Sequence, residues 1–238
     1  MASTVTHCYH MGCYGALPAI RMAHGFMASS FLGITPPKSR IDIVHTEILS
    51  AHGNLSNDSA EHIITMTLFS DGFIRYSVFS EAEAEKRQMK GLKILALKEN
   101  LLSDSLDEMT WKLGPHTFDM TLSLKVPYAI RDNVKRFVVS LLNEAGMDFD
   151  REKENLAYAI HPGGPAIVKK ICGELGLTEK QVELSDKVFY ENGNLSSVTI
   201  PYIFREIIDS DDIPAGTAVL SLAFGPGLTI SGMVLEKI

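Results

Sequence analysis

The spacing of hydrophobic residues along the first third of the chain predicts two helices and two strands. Apolar residues in segment 15–30 recur every three or four positions, as on the buried face of a helix. Residues 41–50 are mostly apolar, which predicts a buried strand. Residues 58–68 predict a second helix, and residues 73–79 predict a second strand.

The rest of the chain continues this alternation. A closing hairpin of strands 218–223 and 228–235 is predicted around the Gly-Pro-Gly turn between them. Strands interleaved with helices indicate a layered α/β fold. The other predicted elements are strands at 92–97, 118–124 and 156–160 and helices at 126–145, 164–175 and 196–208.

A charge-rich stretch, EAEAEKRQMK at residues 81–90, separates the two halves of this pattern. Such a stretch is typical of a solvated linker or helix face, and a docking surface is the alternative interpretation. We therefore predict two units, residues 1–80 and residues 81–238.

The overall composition excludes several classes of function. The 238-residue chain is 45% hydrophobic and 21% charged, which is ordinary for a globular protein. Its net charge is -7 and it has no run of Lys or Arg, so nucleic acid is not an expected partner. It has no apolar run of about 18 residues and no signal-peptide pattern, so we expect no membrane span and a cytoplasmic location. Its 3 cysteines show no disulfide-framework spacing, which fits a reducing compartment.

Cys13 is a candidate nucleophile because it lies just before the first predicted helix, in the segment MGCYG. Unpaired N–H groups and the positive end of the helix dipole at a helix start both favour a thiolate. The flanking Gly12 and Gly15 allow close backbone approach. The alternative is a small structural cysteine buried before a helix.

His161 follows the predicted strand at 156–160 and opens the segment HPGGP. Ligands bind at the ends of strands in α/β sheets, where a fixed histidine can act as a base or as a donor. The alternative is a turn histidine whose hydrogen bonds go to the backbone.

Two further segments could contribute to the same site. Asn194, in the segment GNLSS, either presents its amide to a ligand or caps the following helix. The segment AFGPGLT at residues 223–229 is either a structural turn or a cavity wall that a ligand can approach closely.

These four segments together resemble the thiolase-like condensing enzymes and, within them, the type III polyketide synthases of the chalcone synthase type. The resemblance extends over essentially the whole chain and is most specific between His161 and Thr229. The segments near Trp111 and residues 118–127 look more like bacterial members, which often form pyrones. The resemblance implies a thiolase-like α-β-α-β-α layered fold whose N-terminal half is incomplete in this chain.

The resemblance implies acyltransferase chemistry on CoA thioesters, with no cofactor and no metal. Cys13 would take the starter acyl group from an acyl-CoA, and His161 would help to keep Cys13 as a thiolate. His161 and Asn194 would donate hydrogen bonds to the thioester carbonyl of malonyl-CoA as CO2 leaves. One such donor is typically worth about 3–4 kcal/mol.

The resemblance also implies which residues contact the substrate. Phe69 matches a gatekeeper aromatic, the alternative being a core aromatic at a helix end. Phe118 or Met120 falls at a second gatekeeper position, and His52 falls in a strand that lines the family's cavity. The loop over which the growing chain would cyclise comprises Phe224, Gly225, Pro226 and Gly227.

The match departs from the family pattern at the start of the chain. Family members carry a substantial segment before the nucleophile, whereas Cys13 lies close to Met1. We therefore expect a split enzyme with a separate N-terminal subunit, or an incomplete product, and little condensing activity of this chain alone. The resemblance also implies a homodimer.

Three alternatives remain open. The first is a non-catalytic or regulatory subunit of such a synthase. The second is a papain-like cysteine hydrolase, which shares the chain order Cys, His, Asn but has a different context around its cysteine. The third is a zinc site formed by His7, Cys8, His10 and Cys13, whose spacing fits no standard finger.

Overall fold

The computed structural model describes residues 5–33, 39–53, 58–113 and 118–238, without the side chains of Glu61, Phe118 and Asp119. The helices are α1 (Ala16–Phe31), α2 (Ala60–Leu68), α3 (Glu81–Lys86), α4 (Val126–Glu144), α5 (Phe149–Glu152), α6 (Pro165–Leu175), α7 (Glu183–Asn192) and α8 (Thr199–Asp209). The strands are β1 (Arg40–Glu47), β2 (Gly72–Phe79), β3 (Leu92–Leu101), β4 (Met109–Leu113), β5 (Phe118–Leu122), β6 (Ala157–Ile160), β7 (Ala218–Gly225) and β8 (Thr229–Lys237). Short 3-10 turns lie at Gly12–Tyr14, Leu49–His52, Glu179–Val182 and Ser196–Val198.

A four-stranded sheet in the order β3-β8-β7-β6 forms the centre of the fold. Strand β8 pairs antiparallel with β3 and with β7, and β6 runs parallel to β7. All residues of β7 after Ala218 are buried, because a strand covered on both faces has no solvent side. The predicted closing hairpin and the short strand that leads to His161 are therefore confirmed.

Helices cover both faces of this sheet. Leu220, Leu222 and Phe224 of β7 pack into a core with α4 and α6. The alternate residues Val219 and Ala223 pack into a second core with α1 and α8. Because side chains alternate between the faces of a strand, one apolar run supplies both cores. The prediction of layered α/β packing is confirmed.

Strands β1 and β2 form a separate antiparallel pair in the part of the chain that the structure describes. The prediction of a buried strand at 41–50 is wrong on two counts. The strand ends at Glu47, and its side chains alternate between exposed and more buried positions. Val44 is 56% exposed, because no further described strand or helix covers that side of the pair.

The other predicted elements agree with the structure within a few residues, with three differences. The helix predicted at 196–208 starts with a 3-10 turn, so that α8 begins only at Thr199. The charge-rich stretch contains the short helix α3, with no buried residue, which confirms a solvated face. Strand β4 and helices α5 and α7 were not predicted. The division into residues 1–80 and 81–238 stays a prediction. No described helix is long and apolar enough to cross a bilayer.

Gly232 of β8 offers a test of the packing between the sheet and α4. A Cβ at this position would lie 2.8 Å from Leu141 Cδ2 and from Phe137 Cε1. We expect Gly232→Ala to lower the free energy of unfolding by about 1–3 kcal/mol through overpacking, measured by urea denaturation.

Gly173, on the exposed side of α6, provides the matched control. A Cβ there would meet nothing within 4 Å. Gly173→Ala should therefore leave the stability unchanged or raise it by about 0.5–1 kcal/mol, because alanine favours the helix. Equal destabilisation by the two substitutions would contradict the packing argument.

Candidate active site

A pocket at the C-terminal ends of β6 and β7 brings the three predicted catalytic residues together. Cys13, His161 and Asn194 all line its wall, although they are far apart in the sequence. The rest of the wall is mostly apolar and consists of Gly12, Leu49, Phe69, Met109, Thr110, Trp111, Met120, Leu122, Gly163, Ile167, Ser196, Phe224 and Pro226.

Cys13 lies in the 3-10 turn immediately before α1. Gly12 has a φ of 65°, a left-handed conformation that glycine adopts without strain. A Cβ on Gly12 would lie 2.8 Å from Pro226 Cδ, and a Cβ on Gly225 would lie 2.0 Å from the Tyr14 ring. The Gly-Pro-Gly loop therefore holds the nucleophile turn by backbone packing that leaves no space for larger residues.

Burial raises the pKa of the Cys13 thiol to about 12. The polar side chains of Ser196 and Asn194 near the thiol lower this pKa, and the negative charge of Glu47 raises it. The lost hydration outweighs the effect of the polar neighbours, because burial penalises the charged form of the group. Burial on its own therefore favours the thiol form of Cys13, and the thiolate stays a prediction.

His161 follows β6 and is almost completely buried. Its backbone N–H donates to the Leu222 carbonyl oxygen at 2.8 Å, and its own carbonyl oxygen accepts from the Gly163 N–H at 3.0 Å. Burial lowers the pKa of its imidazole to about 3. The backbone thus fixes a neutral imidazole on the cavity wall, where it can accept a proton through one ring nitrogen and donate through the other.

Asn194 is held by its backbone and by one side-chain atom. Its N–H donates to the Leu68 carbonyl oxygen at 2.8 Å, and its carbonyl oxygen accepts from the Ser70 N–H at 3.0 Å. Its side-chain Oδ1 accepts from the Ser196 N–H at 2.9 Å. Because Oδ1 is occupied, the amide Nδ2 is the atom left to donate to a ligand.

Five buried side-chain atoms lack a hydrogen-bond partner within the described residues, and four of them belong to cavity-lining residues. Buried polar groups are nearly always hydrogen-bonded, so this concentration marks a place where a polar ligand completes the bonding. A carbonyl oxygen or an oxyanion would suit these donors. The four atoms are Thr110 Oγ1, His161 Nδ1, His161 Nε2 and Asn194 Nδ2.

The structure places most of the predicted substrate-contacting residues on the cavity. Phe69, Met120 and Phe224 line the wall, as does Pro226 of the loop. Gly225 packs behind the wall against Tyr14. The side chain of Phe118 lies outside the described part of the chain.

Gly227 and His52 do not line the cavity, so their predicted contact with the substrate stays a prediction. Gly227 is absent from the cavity lining, and a Cβ there would lie 2.8 Å from Leu101 Cδ1. The prediction that His52 lies in a strand is wrong, because residues 49–52 form a 3-10 turn. The His52 ring packs edge-on against Trp111 at 5.6 Å, so it lies beside a wall residue and not on the wall itself.

Sequence reasoning predicted β5 but missed β4 and its pairing with β5; β4 supplies the wall residues Met109, Thr110 and Trp111. It also missed the role of Ser196. The segment MTWKL at residues 109–113 does show alternation of apolar and polar residues, which could have identified a strand. Ser196 carries a φ of 53°, an uncommon value for a residue with a side chain. Backbone strain of this kind is not visible in a sequence.

The zinc alternative has no support in the structure. No group of three or more His, Cys, Asp or Glu side chains within the described ranges could hold a metal ion. His7, Cys8, His10 and Cys13 all belong to those ranges.

Comparisons with known proteins agree with the geometry. Residues 93–238 match the family model for chalcone and stilbene synthases, C-terminal domain. The chain is 26% identical over 234 residues to type III polyketide synthase A of Arabidopsis thaliana, a match that covers 97% of this chain and 57% of that protein. This chain therefore spans little more than half the length of that relative.

Solved structures show the same fold. The C-terminal type III polyketide synthase domain of Steely1, a type I/III hybrid from Dictyostelium, has a TM-score of 0.79 at 24% identity, covering 96% of this chain and 61% of that one. The 1,3,6,8-tetrahydroxynaphthalene synthase of Streptomyces coelicolor has a TM-score of 0.83 at 22% identity, covering 95% and 61%. The predicted thiolase-like fold is confirmed.

The buried imidazole of His161 should make the free energy of unfolding depend on pH. An unfolded histidine binds a proton below a pH of about 6.5, whereas the folded His161 stays neutral down to a pH of about 3. The unfolded state thus binds more protons in this window, so the free energy of unfolding falls as the pH falls. We expect His161→Gln to flatten this slope by up to about 1.4 kcal/mol per pH unit, measured by urea denaturation between pH 4.5 and 7.5. An unchanged slope would contradict the neutral buried state.

Proposed function

Because this chain belongs to the chalcone and stilbene synthase family, we propose that it performs a type III polyketide synthase reaction. In this reaction malonyl-CoA loses CO2 and condenses with an acyl group held on Cys13. The observation that carries the catalytic assignment is the convergence of Cys13, His161 and Asn194 on one cavity, whose donors have no hydrogen-bond partner among the described residues.

Acyl loading comes first. The Cys13 sulfur attacks the carbonyl carbon of an acyl-CoA thioester, a new C–S bond forms, and the CoA sulfur leaves with its electron pair. His161 accepts the thiol proton and passes it to the departing CoA sulfur. Since burial raises the pKa of Cys13 and lowers that of His161, the neutral pair is favoured at rest.

Condensation follows when malonyl-CoA takes the place of free CoA. Its carboxylate leaves as CO2, and the electron pair of the broken C–C bond moves into the thioester, whose oxygen becomes an enolate. The N–H groups of Asn194 Nδ2 and His161 donate to this oxygen and stabilise its charge. The enolate carbon attacks the acyl carbonyl, and Cys13 leaves as the thiolate.

The shape of the cavity suits an apolar chain that carries a few carbonyl groups. We propose that Phe69, Met120 and Phe224 limit the length of the chain and its path, because all three line the wall. Gly225 and Gly227 act indirectly, because their lack of a side chain allows the loop that carries Pro226 to take its position. His52 would act through Trp111, against which it packs.

The proposed partners are acyl-CoA, malonyl-CoA, a second copy of the chain and a separate N-terminal subunit. Apolar side chains exposed on neighbouring elements support a contact with further protein. They include Val44 on β1, Ile63 on α2 and Phe73 on β2, each more than half exposed. The proposed cytoplasmic location rests on the sequence alone.

A non-catalytic subunit is the second candidate, and one observation favours it. A thiol whose pKa is raised to about 12 is a weak nucleophile unless a base takes its proton during the attack. The loading of Cys13 decides between the two functions.

Incubation with an acyl-CoA should acylate Cys13, and intact mass spectrometry should detect one added acyl group. The measurement is made on the chain alone and on the chain mixed with the N-terminal segment of a family member. Cys13→Ala should abolish the added mass, because the thioester can form only on the attacking sulfur.

The other two cysteines provide matched controls for this loading. Cys8 is exposed and Cys172 lies on α6, and both are free thiols outside the cavity lining. Cys8→Ala and Cys172→Ala should keep the added mass. Acylation that persists in Cys13→Ala, or its absence under both conditions, would contradict the proposal, and the second result would favour the non-catalytic subunit.

Replacing the Asn194 amide should separate condensation from folding. Asn194→Asp keeps an oxygen to accept from the Ser196 N–H but removes the Nδ2 donor. We expect malonyl-CoA decarboxylation, measured as released CO2 in the assembly that loads Cys13, to fall by about 10²–10³-fold.

Asn192→Asp is the control for this substitution. The Asn192 side chain donates to the Val188 carbonyl oxygen at the end of α7 and does not line the cavity. Asn192→Asp should therefore change the rate of malonyl-CoA decarboxylation little. Equal losses in the two variants would mean that the Asn194 donor has no special role.

A further inference from the structure

Two basic side chains from different helices meet over one tyrosine ring between α4 and α6. Lys170 Nζ lies 4.2 Å from the centre of the Tyr128 ring, and Arg131 Cζ lies 5.3 Å from it. Tyr128 and Arg131 belong to the first two turns of α4, and Lys170 belongs to α6. We call these three residues the Tyr128 cluster. The proposed mechanism uses none of them.

The Tyr128 cluster lies next to the cavity along both helices. Ile167 lines the cavity and precedes Lys170 on α6 by three residues, so the two side chains share a face of the helix, about 4.5 Å apart along its axis. Leu122, at the end of β5, also lines the cavity, and α4 begins soon after it at Val126. A ligand that extends from the cavity along these helices therefore reaches the cluster.

Lys170 lacks a carboxylate partner among the described residues, although it is partly buried. A charged group that loses part of its hydration without gaining a counter-charge is costly. The face of the Tyr128 ring compensates for part of this cost, because its negative quadrupole attracts the ammonium group. An anion beside Lys170 would supply the missing counter-charge.

Arg131 has one acidic neighbour and keeps the capacity to bind a second anion. Its Nη2 lies 2.6 Å from Asp132 Oδ1, and its Nε donates to the same oxygen at 2.7 Å. This ion pair is exposed, so water screens it and it contributes little. The third nitrogen, Nη1, can donate to a further ligand. Lys169, beside Lys170, is exposed and adds positive charge. The whole chain has a net charge of -7, so this excess of positive charge is local.

We propose that Lys170 and Arg131, held by the Tyr128 ring, bind the phosphate groups of CoA thioesters. The phosphates of CoA lie at the far end of a long flexible arm from its sulfur, so an anion site outside the cavity suits a thioester carbonyl inside it. The ring holds two like charges near each other before the ligand arrives, which reduces the cost of ordering them on binding. Ammonium and guanidinium groups both bind phosphate well. This inference rests on the proposed function and assigns residues of this chain to the CoA part of the substrate.

The test is the affinity of the full chain for CoA and for pantetheine, measured by isothermal titration calorimetry. Pantetheine has the thiol and the arm but no phosphates, so CoA should bind at least about tenfold more tightly. Lys170→Ala should weaken CoA binding about tenfold and leave pantetheine binding unchanged, because only the phosphates contact the ammonium group. Lys170→Arg keeps the positive charge and should retain most of the affinity for CoA.

Lys180→Ala is the matched control. Lys180 is exposed and lies in the 3-10 turn Glu179–Val182, beyond the far end of α6. Its substitution removes the same charge from the chain, yet CoA binding should stay as it is. Equal losses in Lys170→Ala and Lys180→Ala overturn the proposal. So does a wild-type chain that binds CoA no more tightly than pantetheine, or that binds neither.

Tyr128→Leu tests the ring separately from the charges. It keeps Lys170 and Arg131 but removes the cation–π contacts, so CoA binding should weaken about threefold. Unchanged binding in this variant would contradict the role given to the ring.

Adenosine 3′,5′-bisphosphate distinguishes a CoA site from a site for free nucleotides. It carries phosphates but no arm, so it should compete with CoA on the wild-type chain more weakly than CoA itself, and not on Lys170→Ala. A bisphosphate that binds as tightly as CoA overturns the assignment to CoA thioesters. Binding of CoA needs no reaction at Cys13, so normal CoA binding with failed acyl loading would count against the proposed function alone.

Discussion

The double backbone hydrogen bond between Asn194 and residues 68–70 is the constraint on which the site depends. It joins the segment that leads from α2 into β2 to the loop after α7. These two bonds fix the backbone of Asn194. The hydrogen bond that the Ser196 N–H donates to Asn194 Oδ1 fixes its side chain as well. The same contact holds Phe69 at the cavity wall. A preorganised donor of this kind needs no reorganisation when charge develops on a substrate oxygen.

Water exclusion determines the electrostatics of the site as much as hydrogen bonding does. The wall is mostly apolar, and burial shifts the pKa of Cys13 and of His161 towards their neutral forms. A charge that appears during a reaction is then stabilised by the few donors that face it, because little solvent competes with them. Burial thus favours the uncharged forms of both groups, and the donors on the wall would act mainly on transient charge.

The features that the sequence predicted well are those whose signal is local. Strand β7 is an apolar run because helices cover both of its faces, and His161 stands out because two glycines and two prolines follow it closely. Strand β1 was misjudged because its burial depends on which strands pair with it, and composition does not carry that information. The bonds from His45 to Ser197 and to Tyr76 join residues 152 and 31 positions apart, so only the folded chain brings them together.

The hairpin of β4 and β5 lines the cavity but carries none of the proposed catalytic groups. Those groups sit on the nucleophile turn, at the end of β6 and in the loop after α7, each held by its own backbone contacts. Substitutions in the hairpin can therefore alter the size and shape of the chamber while the reactive groups keep their geometry. The shape of the chamber and the geometry of the reactive groups are thus set by separate elements, so that one can vary without the other.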